Sequence, residues 1–217
     1  MTPRPRQPER EALLHRLGTL DRETATPPRA TLPGVQLINP LNQGDLDGLC
    51  GLYCIINAIR LVLAPHRELQ DREARLLFRA GLRFIDEQSN LLRAVPKSVG
   101  RKRWPLLAER LSVSAERLSG IPIVLERPLL PNAPPTAEET LIAIEMMIHA
   151  NKAPMVFVRG EYRHYTVICG YTPKSLRLFD SFGYHWVRRT SCGPVASAKS
   201  LHRFHLSSLI AVSAKCS

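Results

Sequence analysis

The hydrophobic period of this chain changes part-way along, and that change limits its fold more than any other feature. Before about residue 150, apolar side chains recur three and four apart, the spacing of a helix face. Leu52, Ile55, Ile56, Ile59 and Leu63 form the densest such set. It is apolar on more than one side, which predicts a buried central helix with Asp47 as its N-cap. A second, amphipathic helix runs from Glu68 to about Gln88 on Leu69, Leu76, Leu77, Phe84 and Ile85, and a short third covers Trp104 to Leu111. Ile121 to Leu125 is β-rich, and Pro128 to Pro135 reads as a connecting loop. Thr136 and Glu139 then spell a capping box that opens a helix through His149. From Pro154 onward the apolar residues fall into short strand-like runs: Pro154 to Arg159, His164 to Gly170, Leu176 to Asp180, and one or two more between Arg203 and Val212. Helices first and sequential strands afterwards predict an α+β fold, a helical subdomain packed against an antiparallel β-sheet.

Residues 1–34 hold six prolines and read as a flexible N-terminal arm, with one short amphipathic helix on Leu13, Leu14, Leu17 and Leu20. Residues 35–217 form the folded domain. At 44% apolar and 23% charged residues, the chain can bury a sizeable core. No apolar stretch approaches the roughly 18–20 residues of a membrane span; Cys54 to Ala64 is short and contains Asn57 and Arg60. Met1-Thr-Pro-Arg-Pro-Arg6 has no apolar segment behind it, so a cytoplasmic protein is the expectation, with secretion as an effector left open. The excess of 30 Lys and Arg over 19 Asp and Glu gives a net charge of +11. Most of these cations are single Arg residues, Arg101-Lys102-Arg103 being the one run of three, and no nucleic-acid-binding signature organises them. A solvated basic face, open to an acidic protein or peptide partner rather than to nucleic acid, is the resulting expectation. Five cysteines without an export signal do not make a disulfide framework.

One of those cysteines is placed for reactivity. Cys50 falls in the first turn of the central helix, where unpaired N–H groups and the helix dipole favour a thiolate. His164 opens a strand and Asp180 ends the next one. A carboxylate beside that imidazole would fix its tautomer and stabilise its charged form. Whether the two meet depends on register. A hairpin turn at Thr172 to Ser175 sets His164 opposite Gly183, three residues from Asp180, whereas a loop from Gly170 to Lys174 sets Asp180 directly across from His164. Taken singly, each of the three has an ordinary structural reading: a small core residue, a strand-edge histidine, a turn aspartate.

Together they resemble a known pattern. Gln43 shortly before Cys50-Gly51, then His164-Tyr-Thr-Val-Ile-Cys-Gly-Tyr171, then Leu178-Phe-Asp180-Ser181 is similar to the papain-like cysteine peptidases, most of all to the branch containing leader peptidases of bacteriocin exporters. The resemblance covers residues 40–60 and 154–182; residues 65–135 match nothing. It implies a papain-like fold and a thiol hydrolase of peptide or isopeptide bonds. Cys50 would be the nucleophile, His164 the general base and acid, Asp180 the orienting group and Gln43 an oxyanion donor, with no cofactor. Gly48 and Gly51 suit a narrow approach, hence a Gly-rich cleavage site. Four other readings stand beside this one. Transglutaminase-like acyl transfer or deamidation shares the Cys, His, Asp order. Zinc on Cys50, Cys54, His164 and Cys169 lacks the usual tight knuckle, and a Cys50–Cys54 bridge is poorly placed within a helix. A non-catalytic module would bind its partner through residues 60–117, where thirteen Lys and Arg stand against seven Asp and Glu.

Overall fold

A computed structural model of the chain describes residues 29–44, 47–88, 91, 92, 95, 99–127, 136–194, 200–204 and 209–215. The helix expected on Leu13 to Leu20, the Pro128 to Pro135 loop and Cys216 lie outside the described residues.

The central helix, α1 (Cys50–Leu63), is buried at every position except Tyr53, as a helix apolar on more than one face must be. α2 (Asp71–Gln88) buries one stripe, Ala74, Leu77, Gly81 and Ile85, and turns its Arg and Glu residues outward. α3 (Trp104–Ser119) is longer than its sequence signal, running past Leu111 to a left-handed Gly120 at φ 72°, where a residue without Cβ ends the helix without strain. α4 (Ala137–His149) begins on the expected capping box, with Thr136 Oγ1 accepting from the Glu139 N–H at 3.1 Å and the Glu139 carboxylate accepting from the Thr136 N–H at 2.7 Å.

Nine strands among the described residues form one sheet. β1 (Ala30–Thr31) and β2 (Ile123–Glu126) precede the main run of β3 (Ala153–Gly160), β4 (His164–Tyr171), β5 (Ser175–Phe179), β6 (Trp186–Arg188), β7 (Cys192–Pro194), β8 (His202–Phe204) and β9 (Ile210–Ala214). The order is β2-β9-β3-β4-β5-β6, with β8 beside the far end of β3 and β1 beside the end of β4. All pairings are antiparallel except β7 with β8. The fold is therefore mixed α+β. All eight residues of β4 are buried. Both its faces are thus covered, and α1 and α4 are the helices packed against it.

The boundary expected at residue 34 falls too late. Ala30 pairs with Tyr171, Thr31 pairs with Gly170, and Leu32 is 3% exposed while its N–H bonds to Cys169 O at 2.8 Å. A two-residue strand carries too few alternations to show in the sequence, so this segment reads as arm. No described helix is long and apolar enough to cross a membrane.

Candidate active site

Cys50 is the first residue of α1, and Leu49 before it supplies no side-chain cap. Asp47 is not the N-cap that the sequence suggested. Its carboxylate accepts from Leu49 N–H at 3.0 Å and Gly44 N–H at 3.1 Å, closing the turn that delivers the chain into the helix. A short hydrogen bond from Gly48 N–H to Val95 O, 2.5 Å, holds the same turn from outside. The Cys50 sulfur is buried, 3.9 Å from Gly48 O. Gly51 serves packing rather than substrate approach. A Cβ there would sit 2.9 Å from Trp104 Cδ1 and 3.3 Å from Tyr165. The absent side chain lets the Trp104 indole donate to Gly51 O at 2.9 Å and stack on Tyr165, centroids 4.5 Å apart.

The β4–β5 hairpin decides where Asp180 goes. Its turn is at Thr172 to Ser175, and Tyr171 faces Leu176 and Gly170 faces Arg177. Continued unchanged, this register would set Val167 opposite Asp180 and send the carboxylate to the wrong face. A bulge intervenes between Ile168 and Gly170, so that Ile168 faces Leu178 and Val167 faces Phe179. One extra residue reverses the alternation. Extended by one position, the shifted register places Asp180 opposite Thr166, on the face that carries His164. The two side chains meet diagonally, neither directly across nor three residues apart.

His164 Nε2 lies 2.9 Å from Asp180 Oδ2, and both atoms are shut off from water. The other carboxylate oxygen accepts from the Phe182 N–H at 2.7 Å, which fixes its orientation. Cys50 is within hydrogen-bonding reach of the His164 ring, and with Nε2 turned to Asp180 the sulfur is left to Nδ1. Burial is the largest single influence on the imidazole and favours its neutral form. The hydrogen bonds to Asp180 and Cys50, with their charges, outweigh it and raise the ring from 6.5 to about 9. Cys54, one turn below, is wholly buried, and burial first, then Asp180 and Cys50, hold its thiol well above the usual range. Cys169 and Cys192 are pushed up by burial to about 12. No metal-holding group of three His, Cys, Asp or Glu occurs among the described residues.

Gln43 joins the two halves of this arrangement. Its backbone N–H donates to Ser181 O at 2.8 Å, its side-chain amide donates to Asp47 O at 2.6 Å, and its side-chain oxygen accepts from the Ser181 hydroxyl at 3.4 Å. Two α1 residues that the sequence analysis had given no role hold the segment leading to it. Asn57, with no exposed surface, accepts from Leu41 N–H at 2.8 Å and donates to Leu41 O at 3.1 Å, and Arg60 donates to Asn39 O at 3.0 Å. The signal was present, since a buried amide and a guanidinium inside an apolar helix demand partners.

Trp186 does not cover the His–Asp contact; it is 48% exposed, and the Arg177 guanidinium lies 5.9 Å from its ring centroid. Phe182 and Tyr184 flank His164 instead, with centroids 6.1 and 5.8 Å from the imidazole.

No protein-family model, curated protein or solved structure matches this chain. The functional reading therefore rests on the geometry.

Proposed function

We propose that the chain is a papain-like cysteine hydrolase that cuts a peptide or isopeptide bond through Cys50, His164 and Asp180. The observation that carries the reading is the imidazole held between a helix-N-terminal thiol and a buried carboxylate, with its basicity raised to about 9. Below that value the ring is charged, and a charged ring beside the sulfur favours a thiolate at neutral pH.

In this reaction the Cys50 thiolate adds to the substrate carbonyl carbon. The negative charge that develops on the oxygen is taken by the Gln43 amide and the Cys50 backbone N–H. The intermediate collapses, the carbon–nitrogen bond breaks, and the Nδ1 proton of His164 passes to the departing amine. A thioester remains. Water then gives a proton back to Nδ1 and attacks the thioester carbonyl, which releases the acid and restores thiolate and imidazolium. Asp180 keeps Nε2 and turns Nδ1 to the reaction. Gln43 suits its role because one N–H of its amide is tied to Asp47 O, which orients the group and leaves the second N–H.

An electrophilic peptide or ubiquitin-like probe tests this directly. The expected result is one covalent adduct, located on Cys50 by peptide mass analysis and abolished by Cys50→Ala. An adduct that survives Cys50→Ala, or substrate cleavage at the unaltered rate by that variant, refutes the assignment.

A further inference from the structure

β4 is flanked by β5 on one side, but on the other its neighbour changes part-way along. β3 pairs with it only as far as Met155 opposite Val167; the next residue, Pro154, has no N–H to donate, and β3 passes on to β9. Beyond that point β1 takes the place of β3. Leu32 N–H donates to Cys169 O at 2.8 Å, Thr31 faces Gly170 and Ala30 faces Tyr171. The fit is close: a Cβ on Gly170 would fall 2.8 Å from Ala30 O and 2.9 Å from Thr31 Oγ1, and Leu32 is 3% exposed.

The residues that follow β1 run back along α1. A Cβ on Gly34 would collide with Leu61 O, Asn39 O accepts from Arg60, and Leu41 is bonded to Asn57. The position of β1 on β4 is therefore held by the helix that carries Cys50 as well as by its own two pairs. Its last contact falls on the bulged residue. Two registers are open to β5: one continues unbulged from the turn at Thr172 to Ser175 and sends the Asp180 carboxylate away from His164, and the other needs the extra residue at Cys169. Cys169 is buried, and a donor withdrawn from a buried carbonyl penalises the arrangement that relied on it.

We infer that β1 is the positioning element of the triad: the Leu32 N–H, seated by the close pairing of Thr31 with Gly170, locks the Cys169 bulge and so keeps Asp180 on the face of His164. The consequence for catalysis rests on the hydrolase reading above. The contact between His164 and Asp180 is measurable without it.

The backbone at Leu32 allows the N–H to be removed almost alone. At φ −60° and ψ 136° it already has the shape of proline, and Thr31 before it lies in a strand. Leu32→Pro deletes the donor and keeps the path of the chain, whereas Leu32→Ala keeps the donor and deletes the buried side chain. The readout is the nuclear magnetic resonance titration of the His164 ring, on which Asp180 and Cys50 act against burial, with Tyr184 edge-on to it. In the full chain Leu32→Pro should lower the midpoint by about 1–3 pH units, the effect of losing an adjacent opposite charge. Leu32→Ala should leave it in place while lowering thermal stability. Gly170→Ala, which sets a methyl against Ala30 O and pushes β1 away, should move the ring in the same direction as Leu32→Pro, and carries the test if the proline variant does not fold. In an Asp180→Asn background Leu32→Pro should add no further shift. A ring unmoved in the folded variant, a shift in Leu32→Ala as large as in Leu32→Pro, or a full further shift on top of Asp180→Asn overturns the inference and leaves the hydrolase reading as it was. Failure of the peptide probe to label Cys50, with the ring shifts as expected, removes the hydrolase reading and keeps the positioning role of β1.

Discussion

Asp180 acts on His164 in opposition to burial, and this sets the expected pH behaviour. Burial alone lowers the basicity of the ring; the net rise from 6.5 to about 9 comes from its hydrogen bonds and charge contacts with Asp180 and Cys50. A group raised in the folded state stabilises the fold fully below its unfolded value of 6.5, and that contribution is lost as pH rises through about 9. In Asp180→Asn the charge partner is gone and burial dominates, so the ring's pKa should fall. If the chain hydrolyses through Cys50 as proposed, the alkaline limb of that activity, which then requires a protonated His164, should move to lower pH, and the nuclear magnetic resonance titration of the ring should move with it. The stability gap between the unaltered protein and the variant should narrow as pH rises through about 9 in thermal unfolding. A limb and a ring titration that stay in place would show that Asp180 does not tune the imidazole. Gly51 gives a second, steric expectation. Gly51→Ala drives a methyl to 2.9 Å from Trp104, which is itself held by its bond to Gly51 O and its stack on Tyr165. Overpacking of this kind costs about 1–3 kcal/mol, measurable by urea unfolding.

Along α1, chemistry and support alternate by helical turn: Cys50 at the N-terminus, Cys54 beneath it, Asn57 and Arg60 on the loop behind. Asn57→Ala strands the N–H and C=O of Leu41, and each buried group left unpaired costs about 1–3 kcal/mol. If the loop's purpose is to present Gln43, Asn57→Ala and Gln43→Ala should be strongly non-additive in kcat/KM, because either one removes the same oriented amide. Full additivity in a double-mutant cycle would assign Asn57 to stability alone. These elements also mark what could be read in advance. Helical spacing put Cys50 at the head of α1, and the capping box at Thr136 put α4 in place. The meeting of His164 with Asp180 could not be read, because it depends on a bulge at Cys169. That residue is neither Gly nor Pro, and its bulge is specified by tertiary pairing: Leu32 N–H bonds Cys169 O while β5 resumes on the other side. β1, β6 and β7, of two or three residues each, are set in the same way by their partners and not by their own periodicity.

For the molecule as a whole, the remaining question is what a net charge of +11 does around a buried triad. Exposed cations border the candidate site on two sides. Arg101, Lys102 and Arg103 stand on the turn that ends at Trp104, whose indole is bonded to Gly51 beside Cys50. Arg163 is exposed at the hairpin immediately before His164. The cluster of three thus lies near the thiol and Arg163 near the imidazole, while Asp180, the carboxylate at the centre, is buried and faces the ring. If the chain is the hydrolase proposed, a substrate with carboxylates flanking the cut bond should be drawn in along this field, and one with lysines repelled. Such attraction acts through water, so salt screens it: the Debye length shrinks from about 20 Å to about 7 Å between roughly 0.02 and 0.2 M ionic strength. The ratio of kcat/KM for an acid-flanked peptide to that for a neutral one should therefore fall over this range, mostly through KM. Replacing Arg101, Lys102 and Arg103 together by Ala should lower the ratio at low salt and flatten its dependence on salt. A ratio indifferent to both changes would mean that the basic surface serves something other than capture of substrate.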